Sequence, residues 1–491
     1  MMTTNLLVMV MLLPLAGAIV ISRCGRWPNI REAITLGSAA LTFVVACLLY
    51  QGLETDSQTL VIAQPLETLR VAFSVTRFGV LFALLASGLW LVTSVYAIGY
   101  MRGHHEKNQT RFYVLFAVAI ATVMAIAFSD NLLTLFLFYE VLTVSTYPLV
   151  THAGTEEARQ GGKRYLMILM GSSIVFFLPA IIITYMAAGT LTFQEGGILQ
   201  GHLDPAWLVP LMLLFIFGIS KAGVMPLHRW LPSAMVAPTP VSALLHAVAV
   251  VKAGVFSLLK VVLFVAGPEF LQTSDLTQYL LIIPMATIII ASLVAMTRDN
   301  LKERLAYSTV SQLSYIVLGA LLLTPAGLLG GTMHIVMHAT AKITLFFAAG
   351  AVLVATHKTN ISQMNGLGRA MPVTFGLFTV GAMSIIGIPF FSGMWSKWYL
   401  VTGAVAFQGN PVLQWSLSIT LMLSTLLNIW YLLSIPMHAF FKSGDDTRQY
   451  REAPLACLIG MAVPAALCVY LFFDPHVIFN LATHITGGTQ P

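Results

Sequence analysis

Six ionisable side chains stand inside long apolar runs, where a charge is expensive: Glu140, Lys221, Lys252, Lys260, Lys342 and Lys397. Three histidines keep them company. His246 shares a run with Lys252 and Lys260, while His334, His338 and Lys342 are spaced i, i+4, i+8 and therefore line one helix face. Carboxylate, imidazole and amine are groups that exchange protons. A charge at the bilayer centre costs roughly 2.5–3.5 kcal/mol, and six unpaired ones would exceed the stability of a typical fold. These side chains must therefore face a hydrated interior, pair with one another or shed their charge. Each outcome points to an ion path.

The elements that hold them are read from hydropathy. The chain has 491 residues, 58% hydrophobic and 9% charged, with a mean hydropathy of +0.85. A soluble domain carries about 25% charged residues, so a cytosolic enzyme, a secreted disulfide scaffold and a disordered regulator are all excluded. Runs long enough to span a bilayer, about 20 residues each, fall near 5–22, 33–50, 78–100, 112–129, 131–150, 165–189, 206–226, 241–266, 276–296, 305–323, 327–355, 373–401, 414–441 and 454–473. The fold class expected is an all-α polytopic membrane protein of about fourteen transmembrane helices. Its start, Met1-Met2-Thr3-Thr4-Asn5, lacks a basic region and a clear cleavage site, so the first span reads as retained.

Loop charge alternates. Odd-numbered loops hold basic residues such as Arg23, Arg26 and Arg31, then Arg102, Lys107 and Arg111, and finally Lys442, Arg448 and Arg451. Even-numbered loops hold only Arg70 and Arg77. The positive-inside rule then places odd loops in the cytoplasm of a cell (inner) membrane and both termini outside. The formal net charge of +6 consequently comes mostly from the five buried lysines set against Glu140. It reports no nucleic-acid partner.

The seventh and twelfth spans carry breaks. In the seventh, Lys221 is followed by Gly223 and Pro226, and the helix is expected to break there. Such backbone survives at membrane depth only where protein or a cavity covers it. In the twelfth, Gly387 and Pro389 precede Lys397. Paired interrupted helices point to an inverted-repeat transporter, here helices 4–8 and 9–13. The organisation expected is residues 1–111 for helices 1–3 and a periplasmic hairpin, 112–266 for the first repeat, 267–441 for the second, and 442–491 for helix 14 and a tail.

Each polar residue has a plainer reading too. Glu140 either packs against another helix or tunes a buried lysine. Lys221 lies too far into its span to snorkel, whereas Lys260, near the outer end, either snorkels or joins the path. No carboxylate or cysteine completes a metal shell with His334 and His338. The four cysteines, Cys24, Cys47, Cys457 and Cys468, have no C-x-x-C spacing, and no glycine-rich nucleotide motif exists. No metal, cofactor, redox centre or nucleotide site is expected, and whether the chain serves an enzyme complex stays open.

Several motifs together resemble the antiporter-like subunits of respiratory complex I and of Mrp-type multisubunit cation/proton antiporters. They are Phe138-Tyr139-Glu140, Ser220-Lys221-Ala222, Met225-Pro226-Leu227-His228-Arg229-Trp230-Leu231-Pro232, the stretch from Ala237 to His246, Asn300 to Ser308 with Ser311-Gln312, and Gly387-Ile388-Pro389 with Gly393 and Lys397. The resemblance implies Glu140–Lys221 as a charge pair, Lys252 with His334, His338 and Lys342 as connectors, and Lys397 as the gate of a second half-channel. Lys397 points away from the complex I member that has a glutamate there, while Ser145-Thr146-Tyr147-Pro148 and Gly366 to Pro372, with this length, are most similar to the D-type group of Mrp antiporter subunits. The chain ends shortly after its last span and so is expected to lack the lateral helix of the largest members. The function implied is proton translocation coupled to Na⁺ or K⁺ exchange beside other membrane subunits. The alternative is a proton-pumping subunit of a NADH:quinone, membrane-bound hydrogenase or formate hydrogenlyase complex.

Overall fold

A computed structural model describes residues 2–53, 59–66, 68–444 and 450–486; Arg448, counted above among the basic loop residues, lies outside them. The elements in chain order are α1 (Met2–Arg23), α2 (Pro28–Gln51), β1 (Leu60–Leu66), β2 (Leu69–Phe73), α3 (Arg77–Gly103), α4 (Gln109–Ala127) and α5 (Leu132–Val150). Next come α6 (Glu156–Ala188), α7 (Pro205–Gly218), α8 (Thr239–Ala266) and α9 (Thr277–Thr297). They are followed by α10 (Leu301–Leu321), α11 (Pro325–Thr356), α12 (Pro372–Ile386), α13 (Gly393–Val405), α14 (Pro411–Phe441), α15 (Leu455–Phe473) and α16 (His476–Thr486).

Among the described residues, eleven of these helices are long and apolar enough to cross a membrane unbroken. The other three expected spans are accounted for individually. One is α10, whose polar residues lower its hydropathy. The other two are interrupted, as α7 with the turns that follow it and as the α12–α13 pair.

Helix starts follow the sequence locally. Asn131 accepts a hydrogen bond from the Thr134 amide at the start of α5, Thr155 one from Ala158 at α6, and Asn300 one from Glu303 at α10. Each satisfies an amide that the helix leaves without a partner. Strands β1 and β2 pair antiparallel, Leu60 opposite Phe73 and Leu66 opposite Leu69. This hairpin ties to the start of α5 through Arg70 and Asp130, 2.9 Å apart.

Lipid exposure separates the helices into two kinds. The most apolar windows of α1, α2, α6 and α15 are each one-third buried, whereas α8 is 94% buried and α11 83%. The two sealed helices carry His246, Lys252, Lys260, His334, His338 and Lys342. Polar side chains thus sit on the helices withdrawn from lipid, as their transfer cost demands. Helix α8 also widens into π-helical turns at Leu244–Val248 and Val261–Ala266.

The structure departs from the sequence reading at three places. Helix α7 ends at Gly218, before Lys221 and not after it. Ile219 leaves helical geometry at φ −87°, ψ 53°, and Lys221 rides on a single 3₁₀ turn. Arg31, read as a loop residue, lies in α2, 4% exposed beside the equally buried Glu32, which also pairs with Arg102. The expected tail contains α16, whose Ile478, Leu481 and Ala482 are buried against α3 and α11. At eleven residues α16 is too short to read as a span.

Candidate functional site

The first break is built around Lys221, which is fully buried. Its ammonium donates to the Tyr139 carbonyl at 2.9 Å and to Thr143 Oγ1 at 2.6 Å, and lies 3.2 Å from the centre of the Tyr139 ring. The backbone freed by the break is satisfied by side chains. Tyr139 Oη accepts from the Lys221 amide at 3.2 Å, and Trp230 Nε1 donates to the Ser220 carbonyl at 3.0 Å. Helix α8 presses directly on this turn at Gly254. A Cβ there would lie 2.3 Å from Lys221 backbone, so only glycine permits the approach.

Glu140 corrects an expectation. Lys221 makes no ion pair with it within 4.0 Å; the amine turns to Tyr139 and Thr143 instead. Both carboxylate oxygens of Glu140 are buried and without a hydrogen-bond partner, though the charge stays within electrostatic reach of Lys221.

From α8 a chain of contacts runs laterally. Lys252 Nζ and His338 Nδ1 are 2.6 Å apart. The His338 and His334 rings are 5.7 Å apart, and His334 Nδ1 meets Ser396 Oγ at 2.8 Å. Ser396 immediately precedes Lys397. The Nε2 atoms of His334 and His338 are buried without partners, as are both ring nitrogens of His246 and the hydroxyl of Tyr315. Polar atoms stranded at membrane depth call for water in this axis. The two histidines spend their Nδ1 atoms on different neighbours, Lys252 and Ser396.

Lys342 leaves the chain: its amine donates to the Leu305 carbonyl at 3.2 Å. His246 packs against Phe346, 4.8 Å between ring centres. Both flank the route and lie outside its contacts. Lys260 does not snorkel. It is 2% exposed and donates to the Ser129 carbonyl at 2.7 Å.

The second break follows α12. Gly387 takes φ +88°, and Lys397, on the resumed helix α13, donates back to the Ile386 carbonyl at 3.1 Å. Its amine lies 5.0 Å from the Tyr315 ring centre and borders a 270 Å³ opening between α13 and α14. Among the expected residues, the structure joins Lys252 to His338 by a hydrogen bond, sets the His334 ring beside that of His338, and reaches Lys397 through its neighbour Ser396. Thr143, Tyr315, Ser396 and Gly254 were not foreseen. Thr143 follows Tyr139 by one helical turn, the signal that would have found it. Tyr315 and Gly254 become visible only when two distant helices meet.

Residues 129–441 match a family model described as "NADH:quinone oxidoreductase/Mrp antiporter, TM". The chain is 31% identical over 407 residues to NADH-quinone oxidoreductase subunit N of Desulforudis audaxviator, covering 81% of this chain and 78% of that one. It is 29% identical over 434 residues to Na⁺/H⁺ antiporter subunit A1 of Staphylococcus aureus, covering 82% and 52%. Of several other curated relatives it spans only 51–66% of the length. Among solved structures, the Mrp complex of Dietzia sp. DQ12-45-1b superposes with a TM-score of 0.85 at 24% identity, covering 98% of this chain and 52% of that one. A chain of an archaeal membrane-bound sulfane sulfur reductase gives 0.83 at 24%, covering 98% and 97%.

Proposed function

The chain belongs to the NADH:quinone oxidoreductase/Mrp antiporter transmembrane family, and from that premise we propose that it is the proton-translocating membrane subunit of a multisubunit Na⁺ or K⁺/proton antiporter. The observation that carries the proposal is the lateral contact chain Lys252–His338–His334–Ser396, which leads from the helix packed on the Lys221 break to the residue beside Lys397. Protons charge Lys221, whose state the nearby Glu140 biases. They cross along α8 and α11, and leave by way of Lys397. Lys342 and His246 set the potential along this route from its flank.

On this reading helices 4–8 and 9–13 are inverted repeats, both termini lie on the outer face, and the chain works beside other membrane subunits. The likeness to D-type Mrp subunits belongs to the same proposal and rests on the sequence motifs. The test is proton transport in everted vesicles carrying the whole complex. Glu140→Ala and Lys221→Ala should each impair it; normal transport in both would overturn the assignment.

A redox-linked reading has its own support. The oxidoreductase relative from Desulforudis audaxviator and the sulfane sulfur reductase chain are matched over most of their length. Purification with partners attached separates the two: small antiporter subunits favour the first, iron–sulfur proteins the second.

A further inference from the structure

Lys260 plays no part in the route above. It borders a cavity of about 450 Å³ whose lining includes Ser74, Arg77, Asp130, Glu195 and His484. These residues come from the loops after β2, α4 and α6, from the first turn of α3 and from α16, all on the face opposite the basic loops. The amine is held by the Ser129 carbonyl at 2.7 Å and Ser129 Oγ at 3.2 Å, between the rings of Phe193 and Phe256 at 4.6 and 5.2 Å. Asp130, which could neutralise it, is drawn to Arg70 at 2.9 Å.

The chemistry of the lining selects what can occupy the cavity. In the lining Arg77 and Lys260 balance Asp130 and Glu195, and the two cations disfavour a metal ion. The two carboxylates disfavour a small anion. Water and protons remain. Lys260 and Lys252 stand eight residues apart on α8, about 12 Å along the helix axis, or about four hydrogen-bonded steps of about 2.8 Å.

We propose that Lys260 is a proton port for the first half of the molecule: it exchanges protons between water in this cavity and Lys252, giving the Lys221 half its own access to the outer face. Lys260 gives a proton to cavity water and regains one from the Lys252 side, or the reverse, so no other reactant is consumed. The proposal rests on the proton-subunit reading, and its test is chosen to fail separately.

The experiment uses the complex in sealed vesicles of either orientation, with Cys24, Cys47, Cys457 and Cys468 replaced by serine or alanine. Lys260→Cys and, at the cavity mouth, Arg77→Cys are exposed to a charged, membrane-impermeant methanethiosulfonate. Both should react when the reagent reaches the hairpin face, and neither from the basic-loop face. Lys260→Met should lower proton transport about a hundredfold, as for loss of a positioned proton-transfer group, and Lys260→Arg by the same amount, since arginine does not deprotonate.

An inert Lys260→Cys beside a reactive Arg77→Cys overturns the proposal, as does wild-type transport in Lys260→Met. If Lys260→Met fails to assemble, the labelling pattern decides alone. Failure of the underlying proton-subunit reading shows elsewhere, as normal transport in Glu140→Ala and Lys221→Ala with the labelling unchanged.

Discussion

Lys221 and Lys397 occupy the two helix breaks and are held in opposite ways. Lys221 sits on the irregular turn itself, gripped by a carbonyl, a hydroxyl and an aromatic face, with a carboxylate nearby. Lys397 sits on regular helix beyond its break, held by one carbonyl, and borders an opening. On the proposed reading the first half would hold a charge in a fixed cage, and the second would leave its lysine room to move. That difference would give direction to a route whose two ends carry the same amine.

The largest effect should separate the two lysines by stability. Removing Lys221 takes a charged donor from the Tyr139 carbonyl and Thr143 and leaves the Glu140 carboxylate without its nearby cation. A buried charge left uncompensated costs about 3–5 kcal/mol. Lys397→Ala frees a single carbonyl and should cost about 1–3 kcal/mol. Both should abolish transport in vesicles, while thermal unfolding of the purified complex should fall clearly further for Lys221→Ala. Equal losses would erase the contrast.

Gly387→Ala comes next. Its Cβ would lie 2.8 Å from Lys397 Cδ at φ +88°, a clash and a left-handed strain together worth about 1–3 kcal/mol. Transport should drop with assembly preserved, and Lys397→Ala should add little in the double variant. Gly254→Ala, by contrast, forces α8 off the Lys221 turn and should disturb the first half alone.

A smaller effect is expected of Ser396→Ala, which removes two neutral hydrogen bonds, to His334 and to the Gly393 carbonyl, each worth about 1 kcal/mol. Thermal stability should fall only modestly, while transport slows measurably because His334 loses its hydrogen bond to the residue beside Lys397.

The smallest effect lies outside the membrane. Burial holds His152 below its ordinary 6.5, outweighing the hydrogen bond to the Lys107 carbonyl. Its ring nitrogen stands 2.9 Å from that carbonyl. The depressed group contributes stability that is present above the ordinary value and lost as pH falls below it, toward the lower folded value. His152→Gln should flatten that acid limb by under about 1 kcal/mol in unfolding scans between neutral and mildly acidic pH.

Much of this was legible beforehand, for physical reasons. Membrane spans announce themselves by apolar length, so the helices enclosing Lys252 and His334 could be outlined from composition. The second break was placed by Gly387, because a left-handed residue shows in the sequence. The first was misplaced by a few residues. Gly223 and Pro226 drew attention forward, while the helix ends at Gly218 because Tyr139 and Trp230 satisfy the freed backbone from other helices. The Glu140–Lys221 contact failed for the same kind of reason: Tyr139 and Thr143 compete for the amine, and helix spacing alone gives no ranking among acceptors. Ser396 lay in full view beside Lys397, but its importance required knowing which face α13 turns to α11.

The proposed route depends on lateral proton transfer through the 2.6 Å contact between Lys252 and His338. His338→Phe keeps a ring in the same place and removes both nitrogens. Cation-driven proton movement should be measured in everted vesicles holding equal amounts of assembled complex. Nearly all exchange should be lost; exchange at the wild-type rate would contradict lateral transfer.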